Sequence, residues 1–213
     1  MALSIYQLKP RFQALLRPLV RTLFRVGVTA NQVTVSACVL SVALGVALYG
    51  LPLPTWCFAL IPVWMLCRMA LNAIDGMLAR EHGQQSVLGA YLNELTDVVS
   101  DAALYLPFAR IAPFDPFWIG VIALLAALSE MAGIQGAVVG GERRYDGPMG
   151  KSDRAFVFGL LGLIVAAGGH EADSHAAWHA LITWGLPCIA LLTACSIYNR
   201  VQAGIRGAHE RSA

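Results

Sequence analysis

Residues 68–80 read Arg-Met-Ala-Leu-Asn-Ala-Ile-Asp-Gly-Met-Leu-Ala-Arg, and residues 89–101 read Gly-Ala-Tyr-Leu-Asn-Glu-Leu-Thr-Asp-Val-Val-Ser-Asp. On a helix, positions 68, 72, 75, 76 and 79 form one stripe, and positions 89, 93, 97 and 101 form another. The intervening segment is short, so we expect two antiparallel neighbouring helices whose polar stripes face each other. Ionisable side chains inside apolar helices cost about 2.5–3.5 kcal/mol each on insertion scales, so these stripes indicate a functional site.

The composition of the 213-residue chain indicates a membrane protein. Hydrophobic residues make up 57% of the sequence, charged residues make up 13%, and the mean hydropathy is +0.62. A soluble domain carries roughly 25% charged residues. The alternative is a soluble all-α protein with a large core, but such a protein does not need apolar stretches of membrane-spanning length. The net charge of +2 is a membrane-orientation signal, and no nucleic-acid partner is expected.

Six apolar stretches predict the fold class, because a spanning helix needs about 20 apolar residues. They are residues 33–53, 55–74, 87–109, 116–139, 155–169 (extended back to Ser152) and 176–198. The sequence therefore predicts an all-α membrane protein with six transmembrane helices. We expect one domain over residues 1–213, made of a cytoplasmic surface helix (1–30), a six-helix bundle (31–200) and a cytoplasmic tail (201–213).

Basic residues set the orientation of these spans. Thirteen of the fifteen Lys and Arg residues lie before the first span, between the second and third, between the fourth and fifth, or after the sixth. Because Lys and Arg accumulate on the cytoplasmic side, both termini are predicted to be cytoplasmic.

An amphipathic surface helix is predicted before the first span. Apolar residues occupy positions 12, 15, 16, 19 and 23 at helical spacing, whereas arginines at 11, 17, 21 and 25 fall on other faces. This pattern is typical of a helix lying on the cytoplasmic membrane surface. Residues 29–32, Thr-Ala-Asn-Gln, then predict a turn and helix cap.

Oxygen-bearing side chains of the two stripes predict a metal site just inside the cytoplasmic boundary. They are Asn72, Asp75, Asn93 and Asp97. Carboxylate and amide oxygens suit a hard divalent cation such as Mg²⁺ or Mn²⁺. The alternative is a polar network between helices that binds no ligand.

Small residues beside these ligands leave space for a substrate. Gly76, Ala79 and Gly89 would let a ligand approach the backbone, and Arg80 adds a positive charge. A metal, free space and an arginine together indicate a phosphate-bearing substrate.

The two stretches resemble the signature of a known family. The pattern Asp-Gly-x2-Ala-Arg-x8-Gly-x3-Asp-x3-Asp, with another Asp three residues earlier, marks the CDP-alcohol phosphatidyltransferases. This sequence reads Asn72-x2-Asp75-Gly76-x2-Ala79-Arg80-x8-Gly89-x3-Asn93-x3-Asp97. The resemblance extends to Thr-x-Asn-Gln-Val-Thr at residues 29–34. Residues 143–154, Arg-Arg-Tyr-Asp-Gly-Pro-Met-Gly-Lys-Ser-Asp-Arg, are most similar to a bacterial inner-membrane branch, which implies an inner-membrane location.

The resemblance implies a reaction. A CDP-linked lipid, usually CDP-diacylglycerol, binds with its pyrophosphate on two divalent ions, an alcohol hydroxyl attacks the phosphorus that bears the lipid, and CMP leaves. Asp97 is implied to be the general base as well as a metal ligand. Because Asn72 and Asn93 stand where the family has carboxylates, we expect weaker metal binding, with one or two ions.

A basic loop between the fourth and fifth spans is expected to bind the acceptor or a phosphate. The residues are Arg143, Arg144, Lys151, Ser152 and Arg154. The alternative is that they only anchor the loop to the cytoplasmic face. Glu130, inside the fourth span, has two open roles: a buried partner of Arg68, or a substrate contact.

Arg68 and Asp101 are predicted to form a structural ion pair. Antiparallel packing would place both near mid-membrane, where neither charge is tolerable alone. The competing interpretation makes Asp101 the base and leaves Asp97 as a ligand.

The function predicted is phosphatidyl transfer from CDP-diacylglycerol to an alcohol acceptor whose identity is not readable. One alternative transfers a head-group phosphate from a CDP-alcohol to diacylglycerol. Another, favoured by the two asparagines, is a degenerate relative that binds lipid or nucleotide without turnover. A small transporter is a weaker interpretation, since no inverted repeat is visible. Membrane lipid is an expected partner, and a homodimer is left open.

Overall fold

Seven α-helices make up most of residues 5–139, 141–168 and 176–212, which are the parts of the chain that the computed structural model describes. They are α1 Ile5–Arg25, α2 Ala30–Gly50, α3 Leu60–Glu81, α4 Val87–Tyr105, α5 Pro116–Val138, α6 Lys151–Ala166 and α7 Ala176–Ser212. Short 3-10 helices, Thr55–Ala59 and Leu106–Arg110, precede α3 and follow α4. No strand occurs in the described ranges, so the all-α fold class is confirmed.

Local capping signals fix where α2 begins. The Gly27 backbone has φ +83°, a left-handed conformation that glycine adopts without strain. Thr29 then caps α2, because its side chain accepts from the Gln32 amide while the Gln32 side chain accepts from the Thr29 amide. The cap predicted within residues 29–32 is therefore confirmed at Thr29, whereas the turn lies earlier, at residues 26–27, and residues 30–32 are helical.

Helix α2 packs against both α3 and α4, the two helices that carry the polar stripes. At Gly45 the two backbones approach closely: a Cβ there would lie 2.1 Å from the Ala103 carbonyl oxygen. Helix α1 packs against α3, and Val20 of α1 joins Val33 and Ile74 in one small apolar cluster.

The other half of the molecule is built on a larger apolar core. Helix α5 packs along α7, and α6 packs against α3. Stacked rings of Tyr105 and Phe158, 3.9 Å between centroids, join α4 to α6. Phe108 packs edge-on against Phe158. These contacts fix α6, which carries part of the basic loop, against the helices of the polar site.

Four helices are long and apolar enough to cross a membrane among the described residues. They are Ala30–Gly50, Thr55–Glu81, Pro116–Val138 and Trp178–His209. Their outer faces carry exposed apolar side chains such as Val46, Leu66, Leu124 and Leu191. Helix α4 differs because it carries three carboxylates, and α6 differs because it has only 16 residues.

Several boundaries differ from the sequence predictions. Helix α2 covers Ala30–Gly50 where the sequence predicts residues 33–53, and α3 continues to Glu81, beyond the predicted end at residue 74. Helix α7 continues to Ser212, through the segment 201–213 predicted as a separate tail. Ala203 is buried there, so packing holds the helix together beyond the apolar stretch. The fifth predicted span begins at Lys151, one residue before the extended limit, and its predicted end at Gly169 lies outside the described residues.

Candidate active site

Polar side chains of α3 and α4 face each other and form contacts between the two helices. Arg68 contacts Asp101, and Asn72 contacts Asp97. Pairing of an earlier residue on one helix with a later residue on the other is the pattern of antiparallel helices. The predicted juxtaposition of the two stripes is therefore present.

Asp75 is a buried carboxylate held by α2. It is 6% exposed, and the Thr34 hydroxyl donates to its Oδ2 at 2.8 Å. The Ala30 carbonyl lies 3.0 Å from the same hydroxyl and shares its single proton. The α2–α3 contact therefore orients one oxygen of Asp75.

Asp97 is surrounded by donors. Its Oδ1 accepts from Asn72 Nδ2 at 3.2 Å and from Arg68 Nη2 at 3.4 Å. Its Oδ2 forms an ion pair with Lys151 Nζ at the start of α6. Both carboxylate oxygens of Asp97 are thus engaged by groups of the protein.

A cavity of about 660 Å³ opens beside these carboxylates. Of the predicted site residues it is lined by Asn72, Asp75, Gly76, Ala79, Arg80, Gly89, Asn93 and Arg143. Asn31 and Gln84 add neutral polar groups to the wall. The cavity therefore collects the residues predicted for metal and phosphate binding, with Asp97 just outside its lining.

Two glycines in the cavity wall, Gly76 and Gly89, each have a polar side chain packed against their backbone. A Cβ on Gly76 would lie 2.8 Å from the Arg80 guanidinium, so that group lies over the Gly76 backbone. A Cβ on Gly89 would lie 2.8 Å from Asn31 Oδ1. Among the described residues none forms an ion pair with Arg80, which leaves its positive charge available to a ligand.

Glu130 is the centre of an arginine cluster. Its carboxylate accepts from Arg143 at 3.1 Å, from Arg154 at 3.1 Å and from Arg200 at 3.4 Å. Arg154 and Arg200 are almost fully buried. Of the two roles left open for Glu130, pairing with Arg68 is wrong, because Arg68 contacts Asp97 and Asp101 instead.

The five residues predicted to bind the acceptor lie in different surroundings. Arg143 lines the main cavity and pairs with Glu94. Arg144 pairs with Asp146. Arg154 is buried and forms an ion pair with Glu130. Lys151 and Ser152 line a second cavity, of about 570 Å³, between α3 and α6.

The Arg144–Asp146 pair lies in the loop before α6. Partial burial opposes ionisation of Asp146, but hydrogen bonds from the Arg144 guanidinium, at 3.0 and 3.2 Å, and from the backbone outweigh it. The pKa of Asp146 is accordingly held below its ordinary value. Both side chains therefore stay charged at neutral pH, and their ion pair stabilises the conformation of the loop.

The family model for CDP-alcohol phosphatidyltransferase matches residues 27–195, most of the chain. The chain belongs to the CDP-alcohol phosphatidyltransferase family. It is accordingly a membrane transferase of phospholipid synthesis. The match covers α2 to α6, including every residue of the predicted motif.

Relatives of this CDP-alcohol phosphatidyltransferase agree with that assignment. The chain is 44% identical over 190 residues to the inner membrane protein YnbA of Escherichia coli K12, covering 89% of this chain and 92% of that protein. It is 33% identical over 96 residues to the phosphatidylinositol phosphate synthase of Mycobacterium marinum, covering 44% of this chain and 38% of that protein.

Solved structures of the Mycobacterium tuberculosis phosphatidylinositol phosphate synthase share the fold. The complex with manganese and citrate aligns with a TM-score of 0.68 at 20% identity, over 88% of this chain and 87% of that chain. The structure with CDP-DAG bound aligns with a TM-score of 0.65 at 22% identity, over 88% and 92%.

The donor set of this CDP-alcohol phosphatidyltransferase fits a divalent cation. No group of three or more His, Cys, Asp and Glu arranged to hold a metal occurs among the described residues. Asp75 has one oxygen not bonded to Thr34, and the amides of Asn72 and Asn93 line the same cavity. These oxygens suit a single hard cation. Asp97 is less available to a cation, since Arg68 and Asn72 already bind its Oδ1 and Lys151 pairs with its Oδ2.

Arg68 and Asp101 form the buried contact predicted between them, with Nη1 to Oδ1 at 2.8 Å. Arg68 is 5% exposed and Asp101 is 4% exposed. The same guanidinium reaches Asp97, so one arginine serves two carboxylates of α4.

Sequence reasoning missed Thr34, Arg200 and the partners of Glu130. Thr34 belongs to the 29–34 stretch, but its bond to Asp75 joins residues 41 apart in sequence. Arg200 reads as a charge after the last span, although it lies on the continuing α7 and is 2% exposed. Its spacing from Thr193 and Ser196, two small polar residues of the last apolar span that lie two turns and one turn earlier, is the sequence signal that could have placed it on their face of the helix.

Proposed function

We propose that the protein transfers a phosphatidyl group from CDP-diacylglycerol to an alcohol and releases CMP. The observation that carries this proposal is the single cavity that unites Asp75, two amide ligands and an arginine that pairs with no described residue. Such a site can hold a pyrophosphate. The CDP-DAG complex of the mycobacterial fold relative supports the choice of donor.

The donor phosphates are assigned to the α3–α4 side of the cavity. Asn72, Asp75 and Asn93 would hold one Mg²⁺ or Mn²⁺, which supplies charge neutralisation to the pyrophosphate when bound. Arg80 donates to the phosphates from its position over Gly76. Ala79 and Gly89 also line the cavity, and their small size leaves space for the nucleotide to approach the backbone.

The acceptor is assigned to the side that faces α5 and the basic loop. Arg143 lines the cavity there, and Arg154 fixes the loop through Met149 and Glu130. Asp97, the carboxylate at the base position of the motif, would accept the proton of the attacking hydroxyl on Oδ2, which has one protein partner, Lys151. Arg68 and Asn72 hold that carboxylate in place.

We further propose that α4 and α6 join the four apolar helices to give six spans in an inner membrane, with both termini cytoplasmic. Helix α1 would lie on the cytoplasmic surface. Two observations support this placement of α1: it has exposed apolar side chains, including Leu15 and Leu19, and its Arg17 forms an ion pair with Glu81 at the end of α3. The Escherichia coli relative is an inner membrane protein.

The test is CMP release by the purified full-length protein from labelled CDP-diacylglycerol. The reaction contains Mg²⁺ or Mn²⁺ and one acceptor at a time: glycerol phosphate, inositol phosphate, serine or a lipid alcohol. Acceptor-dependent CMP release with a new labelled lipid supports the proposal. The parallel reaction contains a CDP-alcohol and diacylglycerol. CMP release in that reaction alone would show that the head-group phosphate, and not the phosphatidyl group, is transferred. Absence of release in every combination would contradict turnover.

A further inference from the structure

Lys151 contacts the motif carboxylate that the family resemblance assigns to both the base and a metal. Its ammonium reaches Asp97 Oδ2, while Asn72 and Arg68 take Oδ1. In two-metal sites the ions lie about 3.5–4 Å apart. An ammonium already paired with Asp97 therefore occupies the surroundings that a second ion would need.

The position of Lys151 is built into the fold. It opens α6, and the preceding Gly150 amide donates to Asp153 Oδ2 at 2.9 Å. One residue further back, the Met149 amide donates to Ser196 Oγ at 2.8 Å, and Arg154 donates to the Met149 carbonyl at 3.1 Å. These bonds fix the backbone beside Lys151, whose side chain is 30% exposed.

Formal charge favours the lysine over a second metal. Two carboxylates and Lys151 leave the ligand set at −1, since Asn72 and Asn93 are neutral and Arg68 is balanced by Asp101. One divalent ion brings the set to +1, and a second would bring it to +3. Like charges this close repel strongly where water is scarce.

We propose that the Lys151 ammonium takes the place of one of two divalent ions, so that the protein holds a single exchangeable cation at Asp75. An ammonium is a compact point charge that binds phosphate oxygens. Lys151 lines the neighbouring cavity and reaches Asp97 just outside the main one, so its positive charge there supplies part of the charge that the missing ion would provide. The pyrophosphate as ligand rests on the proposed function, whereas the metal count does not.

The direct test counts bound Mn²⁺ on the full-length protein in detergent. The electron paramagnetic resonance signal of free Mn²⁺, followed during a titration, gives the number bound. Saturation at one Mn²⁺ per chain is expected. Saturation at two per chain, or no binding, overturns the proposal.

A triple variant tests the role of the lysine. Asn72→Asp and Asn93→Asp combined with Lys151→Ala should raise the count to two, with exchange coupling between neighbouring ions. The control combines the same aspartates with Lys9→Ala, which removes the only other lysine in the sequence. It should still bind one, because the Lys151 ammonium remains on Asp97 and keeps the second ion away from that carboxylate. A folded triple variant that binds one, or a control that binds two, contradicts the role of Lys151. If the triple variant does not fold, the wild-type count decides.

CMP release separates this inference from the proposed function. One Mn²⁺ per chain without CMP release under any condition would defeat the function and leave the metal count standing. Two Mn²⁺ per chain with normal CMP release would defeat the lysine inference alone.

Discussion

Asp75 and Asp97 are the two carboxylates retained at the metal-binding positions of the motif, and their surroundings differ. Asp75 is held by one neutral hydroxyl, from Thr34, whereas Asp97 is held by two cations and an amide. Asp75 therefore keeps capacity for an external cation. The carboxylate of Asp97 is oriented by the protein itself.

Both carboxylates are predicted to be needed for turnover. Asp75→Ala and Asp97→Asn should each lower CMP release by about a hundredfold or more, the low end for loss of a general acid or base. Asp115→Asn is the matched control, because Asp115 caps α5 at its start and asparagine caps equally well. Wild-type CMP release by a correctly inserted Asp75 or Asp97 variant would remove these residues from the site.

Arg68 and Asp101 are predicted to contribute stability. Asp101→Asn leaves a buried guanidinium with less compensation, a change that costs about 3–5 kcal/mol in buried pairs. The melting temperature in detergent should fall, and combining Asp101→Asn with Arg68→Gln should recover part of the loss. An Asp101→Asn protein that melts normally and releases no CMP would instead make Asp101 the base.

At the scale of helices, the contact between α2 and α4 depends on Gly45. A methyl group there would meet the Ala103 carbonyl, and such overpacking costs about 1–3 kcal/mol. Gly45→Ala is therefore predicted to lower the melting temperature in detergent. Gly120→Ala in α5 is the control, because nothing lies within 4 Å of a Cβ at that position. Equal melting temperatures for the two variants would contradict close packing at Gly45.

The sequence is informative about individual helices and much less so about their partners. Periodicity placed Asn72, Asp75 and Asp97 on facing stripes, because residues three or four apart share a face. It could not join Glu130 to Arg200, 70 residues away, or Lys151 to Asp97. Such contacts depend on which helices become neighbours, and hydropathy alone carries no information about that choice.

At the scale of the whole molecule, the six proposed spans require both ends of the chain to lie on one side. Alkaline phosphatase fused after residue 213 should be inactive in a bacterial host, and a fluorescent protein fused at the same point should fluoresce. Alkaline phosphatase inserted after residue 112, between α4 and α5, is expected to be active. The opposite pattern would invert the topology, and activity at both points would contradict the three spans proposed between residues 112 and 213.

The arginine cluster on Glu130 constrains how this sequence can change over generations. Loss of Arg200 alone leaves the carboxylate with two arginine partners, so that step is tolerable. Loss of Glu130 first leaves Arg154 and Arg200, which are 0% and 2% exposed, without their carboxylate partner, at a cost of several kcal/mol. Substitutions in this cluster are therefore ordered: Arg200 can change early, and Glu130 can be replaced only after the buried charges that depend on it have gone.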